Sequence, residues 1–267
     1  MQAEDLITMP RVGGPSVAAN GRYAVFPVTE TDPETLDRKR RYSLIDLDNG
    51  GAVISEITLP EGAGGIRMGG DGSLYFLKTA SSAPAGASEE ERAAAQSATQ
   101  LHRVAISAGG ALETPVQLTR FTNDIGDYTL SSNAAGVVFL SHLNRACADL
   151  DCALDTPSGE KSDIGTGRLY RDEDGFVRHW DQWETPGHYM RGFAYDLDAD
   201  GVSNPVALDG PAGEGALVGD TPTQPFGGTE ELAWGADGSH VYFTARESNE
   251  AEPTSTDLDI YRVARQA

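Results

Sequence analysis

The sequence predicts an all-β chain, a partial β-propeller of about four blades with the last blade incomplete. Three observations carry this reading. First, a phrase built as strand, tight turn and apolar strand occurs four times. The clearest copy runs through Glu231–Trp234, the turn Gly235-Ala236-Asp237-Gly238, and His240–Thr244. Asp-Gly between two β-rich runs is a strong hairpin signal, because glycine adopts positive φ at little cost. Second, the turn glycines Gly21, Gly72, Gly136 and Gly238 are 51, 64 and 102 residues apart. A four-stranded blade takes about 40–50 residues, so the longer intervals are one blade plus inserts. Third, the second strand of each copy is apolar on successive residues: Ala24-Val25-Phe26, Leu74–Leu77, Val137–Leu140 and Val241-Tyr242-Phe243. Continuous apolarity marks a strand buried on both faces, as in blades stacked face to face.

The composition agrees. The 267 residues include 31 Gly and 14 Pro, which suits a chain rich in turns. The net charge of −21 argues against nucleic acid and anionic membranes as partners; it describes a solvated surface and suits a cationic ligand. No apolar run is long enough to span a membrane as a helix. The only cysteines, Cys147 and Cys152, have four residues between them, and a loop of that length brings two Cα atoms within bridging range. One disulfide in an oxidising compartment is expected, with a pair of free thiols as the alternative. A periplasmic or secreted location follows, the signal peptide being absent from this sequence. Two cysteines without further Cys or His at useful spacing make no metal site.

In order along the chain, residues 1–15 form a leading segment with a short helical turn near Ala3–Thr8. The first blade, 16–60, has strands at Ser16–Ala18, Arg22–Phe26, Tyr42–Ile45 and Ala52–Thr58, with a polar loop from Thr29 to Arg41. Pro27 cannot donate to a ladder, so the second strand should end or bulge there. The second blade, 66–120, carries an insert from Ala80 to Gln100. There Ser88 and Glu91 fit a capping box opening a helix over Glu89–Ala98, with disorder of the Ala/Ser-rich insert as the alternative. The third blade, 128–209, carries the longest insert, Asn144 to His188. That insert holds the cysteines and an extra hairpin, Arg168–Tyr170 against Phe176–Trp183. The fourth blade, 229–267, lacks its outermost strand. Either the natural chain continues, or Leu6–Met9 closes a four-bladed ring; continuation is the reading taken, because the first blade already has four strands of its own.

The strand-[SA]-x-[DN]-G-x-x-[VI]-x-F pattern resembles the blade motif of propellers in the prolyl oligopeptidase clan of serine peptidases. Glu4–Val12 with Val17–Phe26 resembles the start of the propeller in acylaminoacyl-peptidase and dipeptidyl-peptidase V-like members. Arg178-His179-Trp180-Asp181-Gln182-Trp183 resembles their RHWDxW element. Pro225–Glu231 resembles their PFGG-[ST]-EE element, and Asp257–Tyr261 one of their strands. The resemblance covers essentially the whole chain. It implies a propeller that gates access of short peptides to an α/β-hydrolase domain. That domain and further C-terminal blades are expected beyond Ala267. No G-x-S-x-G occurs here, so no nucleophile elbow is present and this chain alone is not expected to hydrolyse peptides. The resemblance calls for no cofactor and no metal.

Within this frame the site residues are few. Glu230 and Glu231 are the candidate substrate-binding pair, because two carboxylates before an innermost strand suit the ammonium of a peptide N-terminus. A salt bridge to a nearby Arg is the alternative use. Trp180 and Trp183 are candidate contacts to a neighbouring domain, and His179 with Asp181 is read as packing. Asp196-x-Asp198-x-Asp200-Gly201 opens like a calcium loop, yet its twelfth position is Ala207 and a similar run, Asp46–Gly50, occupies the same place in the first blade. Recurrence at equivalent hairpins indicates turn chemistry. The rival to a peptidase propeller is a non-enzymatic periplasmic scaffold; a calcium-dependent module is the third possibility.

Overall fold

Valine, tyrosine and phenylalanine fill the second strand of every copy, and side chains of these shapes pack well on a pleated surface. The strands they form assemble into antiparallel sheets in a computed structural model that describes residues 3–18, 21–107, 109–152, 176–185, 187–211, 213 and 217–265. Residues 1–78 with 101–117 make one compact unit, and 79–100 with 118–267 a second.

The first unit begins with helix α1 (Ala3–Thr8). Leu6–Thr8 is therefore helical and supplies no strand. The first sheet contains β1 (Arg11–Val12), β2 (Ser16–Val17), β3 (Tyr23–Thr31), β4 (Arg38–Asp46) and β5 (Ala52–Ile57). Its order is β1-β3-β4-β5, with β2 also pairing β3. Two expectations are corrected here. The polar loop is much shorter, because Thr29–Thr31 and Arg38–Arg41 pair as strand. And β3 runs straight through Pro27, which pairs with Tyr42. The reason is which way the proline faces. Gly13 N–H donates to Pro27 O at 2.9 Å, so that edge of Pro27 points into the gap between β1 and β2. The missing N–H costs the β4 ladder nothing. A Cβ on Gly13 would lie 2.7 Å from the Pro27 ring, which keeps that position glycine.

The second sheet is β6 (Gly64–Met68), β7 (Leu74–Ser81), β8 (Ser97–Val104) and β9 (Val116–Gln117), in that order. Tyr23, Val25, Tyr42 and Leu44 of the first sheet share a buried core with Met68, Leu74, Phe76 and Val104. Each such side chain contributes roughly 1.5–3 kcal/mol by leaving water. The predicted capping box is present: Ser88 Oγ accepts from Glu91 N–H and the Glu91 carboxylate accepts from Ser88 N–H, opening α2 (Glu89–Ala94). This helix is shorter than the expected Glu89–Ala98, because Ala95 is extended and Ser97–Ala98 already belong to β8.

In the second unit the third sheet is β10 (Asp127–Leu130), β11 (Gly136–Asn144), β14 (His188–Leu197) and β15 (Val202–Ala207). The fourth is β16 (Leu232–Trp234), β17 (His240–Ala245) and β18 (Asp259–Ala264). Val138, Leu140, Ala194 and Leu208 pack against Leu232, Val241, Phe243 and Ala245 in a second core. β11 is buried on both faces, as expected, but β17 alternates. Its Phe243 face is buried, whereas Tyr242 and, across the register on β18, Ile260 are exposed, Ile260 at 77%. Four antiparallel sheets of this kind, packed face to face within each unit, are a partial β-propeller.

The turns follow one recipe. Asp71, Asn133 and Asp237 each accept the backbone N–H two residues on, at 3.0–3.1 Å. The next residue is left-handed: Gly72, Ala134 and Gly238. The third turn is thus built on Ala134, not on Gly136. Gly136 has a different duty, since a Cβ there would sit 2.9 Å from the Trp234 ring. Asp198 caps Asp200 and Gly201, and Asp46 caps Asp48, so both aspartate-rich runs contain turn caps.

Within the 144–188 insert, Cys147 and Cys152 are joined by a disulfide with Cα atoms 5.6 Å apart. The expected partner strand Arg168–Tyr170 lies outside the described residues. Phe176–Trp183 is not one strand: β12 (Arg178–His179) and β13 (Gln182–Trp183) fold on each other about Trp180, whose φ is +56°.

Candidate functional site

In a four-strand meander, the connection between the second and third strands and the crossover to the next sheet emerge at the same edge. In the second unit that edge carries the described ends of the 144–188 insert, the described parts of the 208–231 crossover and the 246–258 connection. It also holds the residues singled out by the sequence.

Glu231 sits at the end of a 3-10 turn, Thr229–Glu231, just before β16. Its carboxylate is occupied by its own chain. Thr223 N–H donates to Oε2 at 3.0 Å, Thr223 Oγ1 to Oε1 at 2.7 Å, and Thr244 Oγ1 to Oε2 at 2.6 Å. Partial burial alone would raise its pKa, but the bonds from Thr244 and Thr223 more than offset this. The carboxyl is held below the ordinary glutamate range. Glu231 therefore staples the crossover to β17. Gly227 belongs to the same staple: its N–H donates to Thr223 O at 2.7 Å, and a Cβ would come within 2.5 Å of that oxygen. The first glycine and the last glutamate of Gly-Gly-Thr-Glu-Glu are thereby accounted for. Glu230, one residue away, is exposed.

The two tryptophans are exposed as well, Trp180 at 75% and Trp183 at 59%. Trp180 meets Phe226 of the crossover edge-to-face, with ring centroids 5.8 Å apart, and Phe226 is itself 77% exposed. Arg178 lies over the Trp183 ring at 5.3 Å. The hairpin root is tied to the fourth sheet through buried Glu252, which accepts from Phe176 N–H, Arg246 Nε and Ser248 Oγ. Glu230 and the aromatic trio thus share one edge, while Glu231 is engaged inside it.

The second unit also holds a buried ion network that sequence reasoning missed. Arg191, 1% exposed, donates to both oxygens of Asp209 at 2.6 and 2.9 Å and to the carbonyls of Asn144 and Cys147. Arg145 reaches the Asp209 and Leu217 carbonyls. The signal was an arginine inside the apolar run Met190–Leu197, where a charge survives only when fully paired. Asp220 was missed too. Its carboxylate accepts Met190 N–H at 2.6 Å, and desolvation, with Glu184 and Glu252 nearby, pushes its pKa up to about 7. Met190 also lines an open groove of about 390 Å³, together with Asp124, Ser141, His142 and His188. His142 stacks on His188 and approaches Glu184 at 3.9 Å. Among the described residues no group of three or more His, Cys, Asp or Glu is arranged to hold a metal ion.

No protein-family model matches the chain. Dipeptidyl-peptidase 5 of Porphyromonas endodontalis is 26% identical over 267 residues, which cover 98% of this chain and 33% of that protein. An acylaminoacyl peptidase in complex with Z-Gly-Gly-Phe-chloromethyl ketone superposes with a TM-score of 0.55 at 11% identity, covering 99% of this chain and 33% of that one. Pyrococcus horikoshii acylaminoacyl peptidase gives 0.53 at 11% identity, over 98% and 33%. The chain thus spans about a third of the length of the relatives it matches. The fold and edge define a propeller piece. Together with the sequence likeness they fit the N-terminal propeller portion of a serine peptidase of the prolyl oligopeptidase clan.

Proposed function

We propose that this chain is the non-catalytic gate of such a peptidase. It admits short peptides to a hydrolase domain carried elsewhere on the parent protein and turns larger chains away. The observation that carries the proposal is the end-to-end likeness to a third of dipeptidyl-peptidase 5. The exposed edge supports it. Trp180, Trp183 and Phe226 offer rigid aromatic area for a neighbouring domain. Glu230 offers a free carboxylate to a peptide ammonium. The exposed Tyr242–Ile260 face suits a further blade. The Cys147–Cys152 disulfide supports a location outside the reducing cytoplasm.

The test uses the full-length parent and a matched series of dipeptide, decapeptide and unfolded-protein substrates. Gating predicts cleavage that falls with substrate size, and a Trp180→Ala/Phe226→Ala variant that cleaves the decapeptide faster relative to the dipeptide. Unchanged size selectivity in that variant overturns the gate. Absence of peptidase activity in the parent overturns the family assignment. Residues 1–267 alone should show no turnover sensitive to a serine-directed inhibitor.

A further inference from the structure

The chain is strongly acidic overall, yet five of its 20 basic residues line one cleft of about 850 Å³ in the first unit: Arg11, Arg38, Lys39, Arg40 and Arg41. One acidic residue, Glu61, lines it with them. The strand register sorts these cations onto two faces. Arg11 is opposite Thr29, Thr29 opposite Arg40, and Thr31 opposite Arg38, so Arg11, Arg38 and Arg40 share one face with the two threonines. Lys39 and Arg41 point the other way, where Arg41 is bound by Glu30 and Glu56.

The face that carries Arg11, Arg38 and Arg40 is the core face. Two residues beyond Arg40 on β4 is Tyr42, buried in the first core, and two beyond that is Leu44. Where the apolar stripe runs out, arginines continue it, and Arg11, Arg38 and Arg40 are all exposed. Among the described residues these three guanidinium groups have no carboxylate within ion-pair distance. The connection into the second sheet also lines the cleft, with Leu59, Pro60 and Ala63 beside Thr58 and Glu61. Three guanidinium donors together with the apolar Leu59, Pro60 and Ala63, in a volume typical of small-ligand clefts of about 300–1,000 Å³, suit a short extended chain.

We propose that this cleft binds an acidic peptide segment, with its carboxylates on Arg11, Arg38 and Arg40 and its backbone against Leu59 and Pro60. Arginine pairs carboxylates in a bidentate fashion. A duplex or long polyanion would meet the repulsion of the surrounding acidic surface, whereas a short acidic segment fits within the local positive field. The proposal stands apart from the peptidase reading, since it concerns the first unit and needs no hydrolase domain.

The test is fluorescence anisotropy of fluorescein-labelled hexaglutamate with the chain of residues 1–267. Hexaserine and a single-stranded oligonucleotide of six phosphates serve as comparison probes. Saturable hexaglutamate binding is expected, weakened about tenfold between roughly 20 and 300 mM salt as screening sets in. Arg38→Gln/Arg40→Gln should lower affinity by about tenfold or more, and Arg11→Gln, on a different strand, severalfold. Arg92→Gln/Arg262→Gln, which removes the same charge from exposed sites elsewhere, should leave it within about twofold. Equal loss in both double variants would reduce the effect to bulk charge and overturn the proposal. So would no hexaglutamate binding, or tighter binding of the oligonucleotide.

Discussion

Replacing Glu231 separates two uses of one carboxylate. If it anchors the crossover to β17, Glu231→Ala removes acceptors for three donors, two hydroxyls and one backbone N–H. Bonds to a charged acceptor are worth about 1.5–3 kcal/mol each when buried, but this group is partly exposed and water recovers some of that. The expected loss is therefore about 2–4 kcal/mol, or a fall in Tm of very roughly 4–16 °C for a chain of this size. Glu231→Gln keeps one oxygen acceptor and turns the other position into a donor that a rotating threonine hydroxyl can meet, so its cost should be near 1 kcal/mol. The depressed pKa adds a pH signature. The stabilisation is fully present above the unfolded value near 4.5 and is lost as pH falls through the lower folded value. The gap between wild type and Glu231→Gln should accordingly narrow in acid. Thermal and urea melts at about pH 7 and pH 3.5 measure all of this. A Glu231→Ala protein as stable as wild type refutes the staple and returns Glu231 to the list of open ligand groups beside Glu230.

Asp209→Asn leaves Arg191 buried with half its acceptors changed, and should cost about 3–5 kcal/mol in urea unfolding; a loss under about 1 kcal/mol contradicts the network. Arg191→Met/Asp209→Leu should recover much of that loss, because it removes both charges together. Asp220 behaves opposite to Glu231. Its folded pKa of about 7 lies above its unfolded value near 3.8, so the folded chain holds a proton the unfolded chain has released and stability falls as pH rises from about 4 to 7. Asp220→Asn should flatten stability over that interval and stabilise the chain at pH 8; an unchanged slope assigns the pH dependence to other groups.

The architecture was legible because it is written in turns and in runs of apolar residues, both of them local. The four hairpins, the capping box at Ser88 and the position of each insert needed no knowledge of tertiary contacts. What escaped the sequence depended on which way a group faces. Pro27 was expected to break β3, but its missing donor points into a gap. Gly136 resembled a turn glycine, whereas its small size serves Trp234 and the left-handed residue is Ala134. The apolar run of β17 suggested burial on both faces, yet one face of that sheet is open. Glu230 and Glu231 look alike in sequence; one is exposed, and the other is consumed by two threonines that lie 8 and 13 residues away. The Arg191–Asp209 pair spans 18 residues and belongs to no motif.

The gathering of long connections at one edge of the second unit bears on how such a chain can vary. The opposite edge consists of four- and five-residue turns whose caps leave no slack: Ser131–Ala135, Asp198–Gly201 and Gly235–Ser239. An added residue there would slip a register and turn a buried face outward. At the insert edge a lineage can lengthen, shorten or decorate a loop while every ladder hydrogen bond stays in place. The same sheets thereby tolerate change in length at one rim and forbid it at the other.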